Sequence, residues 1–97
     1  MRYNIILAPQ AIEDGRRLKE PYRSAVKDAI EEHLRHEPTK ESKSRIKRLR
    51  DVEYPQYRLR VDEYRVFYNV EGQTVNVLAI VSKVKAAEWL KNMGGGE

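Results

Sequence analysis

Cysteine is absent from this 97-residue chain, and its absence excludes several kinds of chemistry at once. A chain without cysteine has no disulfide framework, no thiolate metal ligand and no cysteine nucleophile. There are only two histidines, and the sequence offers no metal-binding constellation. Because metal sites need several such ligands together, we expect a protein that works without a metal or any other cofactor.

Long apolar segments are also missing. No apolar run approaches the roughly 20 residues that a helix needs to cross a bilayer. The N-terminus has no basic stretch followed by an apolar one, which is the pattern of a signal peptide. We therefore expect a cytoplasmic protein that has no membrane partner.

Positive charge is present in modest excess, with a net charge of +4 and an isoelectric point near 9.4. This balance favours a polyanionic partner, and the distribution of the charges is more informative than their sum. Residues 43–50 include five cations and no acid, namely Lys43, Arg45, Lys47, Arg48 and Arg50. This stretch is a candidate RNA-binding strip, and it is equally consistent with a charged sheet edge that prevents aggregation.

Strict alternation over residues 57–61 predicts a strand whose apolar side chains point to one face, while Arg58 and Arg60 point to the other. A two-residue loop at 62–63 would pair this strand with the next one and set Arg60 opposite Arg65. Like charges directly opposite each other destabilise a sheet. We therefore predict that these three arginines hold an anion such as phosphate. The alternative is a solvated outer sheet face.

Two helices are predicted after an N-terminal strand. Residues 2–8 are rich in β-branched and aromatic side chains, which is typical of a strand. Pro9 suits the first turn of a helix that ends near residue 18. Pro21 begins a longer helix that ends near residue 36, before Pro38. The short link between them predicts an antiparallel helical hairpin.

The second half of the chain predicts most of the sheet. An edge strand within 45–50 precedes the arginine-bearing hairpin, and a nearly continuous apolar run at 75–81 predicts a strand buried on both faces. A short helix follows at 85–91. We predict an α+β fold, with the helical hairpin packed on one face of a mainly antiparallel four- to five-stranded sheet and the opposite face open to a ligand. One domain spans 1–93, and 94–97 form a flexible tail.

This pattern resembles the RelE/ParE superfamily of bacterial toxins from type II toxin–antitoxin systems. The resemblance covers nearly the whole chain. It rests on the order of the elements, on the Arg48-Leu49 step before the hairpin, and on the two hairpin segments Tyr57–Val61 and Tyr64–Tyr68.

The resemblance implies roles for individual residues. In RelE-like members, basic residues lie at the positions of Arg58, Arg60 and Arg65, and another follows the last strand, where this chain has Lys83 and Lys85. The chain lacks the aromatic hydroxyl that these enzymes carry near the C-terminus, since the matching position is a tryptophan or leucine. The identity of the general base is therefore left open.

The implied function is that of a toxin that cleaves mRNA in the ribosomal A site through the 2′-hydroxyl. Its partners would be the ribosome, mRNA and a cognate antitoxin with which it forms a hetero-oligomeric complex. The superfamily also contains DNA gyrase poisons, so a ParE-like gyrase inhibitor is the alternative. A catalytically weak module that only binds an antitoxin is a third possibility. For the toxin that cleaves mRNA, the predicted catalytic residues are Arg58, Arg60, Arg65, Lys83 and Lys85. The cations of 43–50 would then bind RNA.

Overall fold

The structure is a computed structural model that describes residues 2–50, 52 and 54–95. Over these residues the chain forms β1 (Asn4–Leu7), α1 (Pro9–Arg17), α2 (Tyr22–Leu34), β2 (Ile46–Arg48), β3 (Tyr57–Val61), β4 (Tyr64–Glu71), β5 (Thr74–Ser82) and α3 (Lys83–Leu90). A π-helical turn, Lys91–Gly95, follows α3. The predicted tail at 94–97 begins inside this turn, and residues 96 and 97 lie outside the described residues.

The five strands form one sheet in the order β1-β5-β4-β3-β2. β1 pairs with β5 in parallel, and the other neighbours are antiparallel. This arrangement confirms the predicted α+β fold and the edge position of β2. One expectation is corrected, namely that the strand at 75–81 is buried on both faces. β5 alternates buried with half-buried residues. The central strand of the sheet is β4, which is buried over most of its length.

The helices form where local sequence favours them and bury one stripe each. Pro9 occupies the first turn of α1, where its missing N–H costs nothing. In α2 the apolar residues Val26, Ala29, Ile30 and Leu34 recur at helical spacing and are buried. Both helices pack on the same face of the sheet, which we call the helix face. None of the helices in the described part of the chain is long and apolar enough to span a bilayer.

A β-bulge in β5 reverses the direction of its side chains. Tyr68 pairs with Val77 and Phe67 pairs with Ala79, so Leu78 is an extra residue without a partner in the register. Beyond the bulge, the N–H of Ile80 points to the edge that β1 no longer covers and donates to Asp14 Oδ2 of α1 at 2.9 Å. The bulge therefore sets how β5 enters α3.

A column of stacked side chains holds β2, β3 and β4 together on the helix face. Tyr68 is fully buried, its ring stacks on Tyr57 at a centroid distance of 5.4 Å, and its hydroxyl donates to the Pro38 carbonyl at 2.6 Å. The Arg48 guanidinium lies 5.1 Å from the centre of the Tyr57 ring. Tyr68 is thus a core residue. Burial raises the pKa of its hydroxyl above the usual value.

This burial predicts how stability changes at alkaline pH. Below pH about 10 the Tyr68→Phe variant should be less stable by about 1–3 kcal/mol, because the buried Pro38 carbonyl loses its donor. The fold keeps the Tyr68 hydroxyl neutral, whereas the unfolded chain ionises it near pH 10. The wild-type protein therefore loses stability as pH rises through that range, and the gap to the variant should narrow.

Urea denaturation at pH 7 to 11 measures this gap. Tyr54→Phe is the matched control. Because Tyr54 is 50% exposed, removing its hydroxyl should leave the dependence of stability on pH unchanged. A gap that stays constant over the whole range would contradict the prediction.

Candidate functional site

The hairpin of β3 and β4 has the register that the alternation predicts. Val61 pairs with Tyr64, and Arg60 pairs with Arg65. The turn is made possible by Asp62, which adopts a φ of 52°, in the left-handed region that aspartate tolerates better than most residues. Arg58, Arg60 and Arg65 consequently share the sheet face opposite the helix face, which we call the arginine face.

Two rows of side chains cross the arginine face from strand to strand. The first row runs from Lys47 through Arg58 and Phe67 to Ala79, and the second runs from Arg60 through Arg65 to Val81. The bulge in β5 is the reason that small or apolar side chains end both rows. Three guanidinium groups are thus grouped beside an apolar border, which strengthens electrostatic interactions by lowering the local dielectric.

Arg65 lies deeper than the sequence indicates. Its side chain is only 7% exposed, and its Nη1 donates to the carbonyls of Asp62 and Tyr64, each at 2.9 Å. Burial and the neighbouring Arg60 lower its pKa, while Glu63 opposes that shift. The hairpin turn therefore holds this cation in place, and Arg65 has a structural role in addition to its predicted one.

Arg58 is the most unusual group at the site. Its Nε is buried and has no hydrogen-bond partner within the described part of the chain. Burial is the main cause that lowers the pKa of Arg58, and the charges of Arg65 and Arg60 lower it further. A buried donor without an acceptor costs roughly 1–3 kcal/mol. An anion with several oxygens, such as a phosphate, would supply the acceptor that this guanidinium lacks.

α3 covers part of the arginine face, which corrects the expectation of a fully open surface. The N–H of Lys83 donates to the Glu63 carbonyl at 2.7 Å, so the helix begins at the hairpin turn. Further along, the Trp89 ring stacks on Phe67 with centroids 4.8 Å apart and planes 10° from parallel. Trp89 anchors the C-terminal helix, and the stacked pair forms a wall next to Arg58.

Lys83 and Lys85 lie in the first turn of α3 and are both exposed. Cations are unfavourable at a helix N-terminus because the macrodipole is positive there. Their position therefore does nothing for the stability of the helix. The contact between Lys83 and the turn brings this end of α3 beside Arg65, and a catalytic role for the two lysines stays a prediction.

The cations of 43–50 are divided between two faces. Lys47 pairs with Arg58 and extends the arginine face, and Arg45 donates from Nη1 to the Arg60 carbonyl at 3.2 Å. Arg48 faces the other way, against Tyr57. Lys43 and Arg50 flank β2 on either side. Only Arg45 and Lys47 of the five predicted RNA-binding residues are thus placed next to the arginine cluster by these contacts.

Comparison with known families identifies the class of protein to which this chain belongs, a small toxin of a type II toxin–antitoxin system. Residues 5–86 match the family described as the ParE toxin of the type II toxin–antitoxin system parDE. The chain therefore belongs to that family, within the RelE/ParE superfamily that its sequence resembles. Among curated protein sequences, none matches the chain.

Solved structures share the fold at low sequence identity. RelE in the archaeal RelE–RelB complex of Pyrococcus horikoshii is 21% identical, with a TM-score of 0.69 over 86% of this chain and 97% of that chain. The toxin–antitoxin complex RelBE of Mycobacterium tuberculosis gives 22% identity and a TM-score of 0.70, covering 84% and 99%. The YoeB dimer of Staphylococcus aureus gives 20% identity and a TM-score of 0.62, over 84% of this chain and 97% of that chain. The shared architecture is thus that of RelE and YoeB toxins.

The environment of Arg58 predicts that removing its charge stabilises the fold. Arg58→Met keeps the aliphatic stem and removes both the unpaired Nε and the repulsion from two arginines, so we expect a gain of about 1 kcal/mol. Chemical denaturation at pH 7 measures the change. Lys47→Met is the matched control on the neighbouring strand and should change stability by less than about 0.5 kcal/mol, because Lys47 is exposed. A loss of stability in Arg58→Met would instead make Arg58 a structural anchor.

Proposed function

We propose that this toxin is a RelE-like endoribonuclease that cleaves mRNA in the ribosomal A site. The observation that supports it most is the buried Arg58 Nε without an acceptor, next to Arg60 and Arg65. A surface selected only for solubility does not need a buried guanidinium nitrogen without an acceptor, because its desolvation is costly. A phosphodiester brought to this point provides the missing acceptor.

The proposed reaction is transfer of the phosphoryl group to the neighbouring ribose oxygen. The 2′-oxygen loses its proton to a base and forms a bond to phosphorus, while the bond from phosphorus to the 5′-oxygen breaks and that oxygen takes up a proton. Charge accumulates on the phosphoryl oxygens in the transition state. Guanidinium groups fixed beforehand by the hairpin stabilise this charge, and their forked geometry suits two oxygens at once.

The proposed reaction also needs groups that accept and donate protons. Beside the three arginines, the paired strands place Lys47, Phe67, Ala79 and Val81 on the arginine face. Asn69, Glu71, Thr74 and Asn76 lie farther along the same face, and none of these residues is a tyrosine or histidine. We therefore assign proton transfer to the exposed lysines at the start of α3, Lys83 and Lys85. This end of α3 lies beside the hairpin turn, because the N–H of Lys83 donates to the Glu63 carbonyl.

We expect the mRNA and the ribosome to bind the positive surface that continues from the arginines to the sheet edge. Arg45 and Lys47 lie on this path. Cations at such an edge bind the phosphate backbone without reading sequence, and they release counterions when they do so. Binding at this surface is thus expected to weaken as salt is raised.

A cognate antitoxin is the proposed regulatory partner. The similar toxins from Pyrococcus horikoshii and Mycobacterium tuberculosis were each solved in a complex with an antitoxin. The chain also belongs to a family defined by such systems. We therefore expect it to form a hetero-oligomeric complex in which its activity is suppressed.

Inhibition of DNA gyrase is the second candidate function. The family match to ParE toxins favours it, as does the lack of an aromatic hydroxyl on the arginine face. In that case the arginines would bind a protein or DNA surface without cleaving a phosphodiester. A module that binds antitoxin with little activity of its own is the third candidate.

One experiment separates these functions. After brief expression of the toxin, primer extension on a translated message should show new 5′ ends within codons, and these ends should disappear when translation is blocked. Supercoiling by purified gyrase should be unaffected. Arg60→Gln, which removes an exposed charge of the cluster, should reduce cleavage by on the order of 10²-fold. Intact messages together with relaxed plasmid DNA would establish the gyrase function instead.

The assignment of the two lysines has its own test. Replacing both Lys83 and Lys85 by alanine should leave the thermal midpoint nearly unchanged, since exposed substitutions usually alter stability by less than about 0.5 kcal/mol. The cleavage rate should fall by about 10²-fold or more, the scale of general acid–base catalysis. Lys19→Ala with Lys27→Ala removes two charges on the helix side and serves as the control. Full activity in the Lys83/Lys85 variant would exclude both lysines from the site.

A further inference from the structure

Asp14 is a carboxylate whose place is explained neither by helix stability nor by ion pairing. It lies near the C-terminal end of α1, where aspartate is a poor helix former and a negative charge opposes the helix macrodipole. Among the described residues it takes part in no ion pair. Its Oδ2 instead accepts a hydrogen bond from the N–H of Ile80 at 2.9 Å. This bond to β5 is therefore the interaction that the structure gives to Asp14.

The end of α1 that carries Asp14 is held in place by α2. Arg23 of α2 donates from Nε to the Gly15 carbonyl at 3.3 Å and from Nη2 to the Arg16 carbonyl at 2.9 Å. Carbonyls in the last turn of a helix lack their usual partners within it, so this guanidinium satisfies them and joins the two helices. Asp14 thus reaches β5 from a fixed support.

The bond reaches β5 between the ends of the two rows that cross the arginine face. Ala79, the end of the first row, precedes Ile80, and Val81, the end of the second row, follows it. The bulge at Leu78 disrupts the ladder just before this point. Among the described strands, β1 pairs with β5 only as far as Val77, and β4 alone pairs with it beyond. Asp14 therefore supplies an acceptor on the side of β5 that has no neighbouring strand.

The position of α3 depends on this end of β5. Three residues after Ile80 the strand is followed by α3, whose first N–H, that of Lys83, donates to the Glu63 carbonyl at 2.7 Å. At its other end, Trp89 stacks on Phe67 with centroids 4.8 Å apart. A shift of the end of β5 would move this helix over the arginine face. Displacing a reacting group by about 1 Å can reduce a rate by roughly 10²-fold.

We propose that Asp14 is a positioning residue for the arginine face, although it lies on the opposite side of the sheet. Its carboxylate fixes the end of β5 and thereby places α3, so that Lys83 and Lys85 lie beside a phosphate bound by the arginines. This role rests on the proposed endoribonuclease function and deepens it. Asp14 itself touches no substrate. It acts on the rate of the chemical step through Ile80 and leaves phosphate binding to the arginines.

A pair of substitutions tests this role with message-programmed ribosomes as the substrate. Asp14→Ala removes the acceptor and should lower kcat by about tenfold or more, while KM changes by less than about twofold. Asp14→Asn keeps an oxygen at the same place and should restore kcat to within about twofold of wild type. Gly15→Ala is the matched control on the next residue. Its added Cβ would lie 4.0 Å from Ile80 Cδ1, an ordinary contact, so kcat should stay at the wild-type value.

Trp89 provides a second measurement that needs no substrate. It is the single tryptophan of the chain, so its fluorescence reports the stacking on Phe67. Asp14→Ala should shift the emission to longer wavelength, because a displaced α3 exposes the ring to water. Asp14→Asn and Gly15→Ala should keep the wild-type spectrum. Should Asp14→Ala fail to fold, Asp14→Leu takes its place, because leucine removes the acceptor and keeps a side chain of similar shape.

The other outcomes are equally decisive. Either an unchanged kcat or an unchanged Trp89 spectrum, in a folded variant without the acceptor, would overturn the proposal. Equal losses of kcat in Asp14→Ala and Asp14→Asn would overturn it too, because the charge and not the hydrogen bond would then matter. A higher KM with normal kcat would make Asp14 a residue that supports binding. If the wild-type toxin cleaves no message, the proposed function is wrong, and the Trp89 spectra alone decide whether Asp14 positions α3.

Discussion

The register of the β3–β4 hairpin is the constraint on which the rest of the site depends. Side chains alternate with a period of two, so a slip of one residue would move the apolar set to the arginine face and expose Tyr68 and Val66. The two-residue turn at Asp62 and Glu63 prevents such a slip, and it also brings Arg60 directly opposite Arg65. The same pairing that builds the core therefore forces two cations together.

The turn also offsets the repulsion that it creates. The carbonyl of Asp62 in the turn and that of Tyr64 directly after it accept hydrogen bonds from Arg65, and the carbonyl of Glu63 accepts one from the N–H of Lys83. A single loop thus holds one arginine and the first residue of α3 in fixed positions. Preorganisation of this kind is what a site needs if charge is to be stabilised without rearrangement during the reaction. Arg58 is different, because its buried Nε has no such acceptor among the described residues.

The two sides of the sheet serve different purposes in the resulting picture. The arginine face carries the cluster proposed for phosphate chemistry, bordered by the stacked Phe67 and Trp89. The helix face carries the core and, between α1 and α2, an apolar cleft next to β1. Because a sheet separates the two surfaces, a molecule bound on one side would contact different residues from a molecule bound on the other.

Local pattern was sufficient for the elements, for the hairpin register and for the face shared by the three arginines, because alternation and turn length are properties of neighbouring residues. Pro9 and the spacing in α2 likewise marked the helices. Tertiary contacts decided the rest. The depth of Arg65, the isolation of Arg58 Nε and the stacking of Trp89 on Phe67 depend on how α3 crosses the sheet. That path follows from the bulge at Leu78 and from the hydrogen bond that the N–H of Ile80 donates to Asp14, which joins residues 66 positions apart. A contact of such sequence separation leaves no periodic signal, so only the folded chain reveals it.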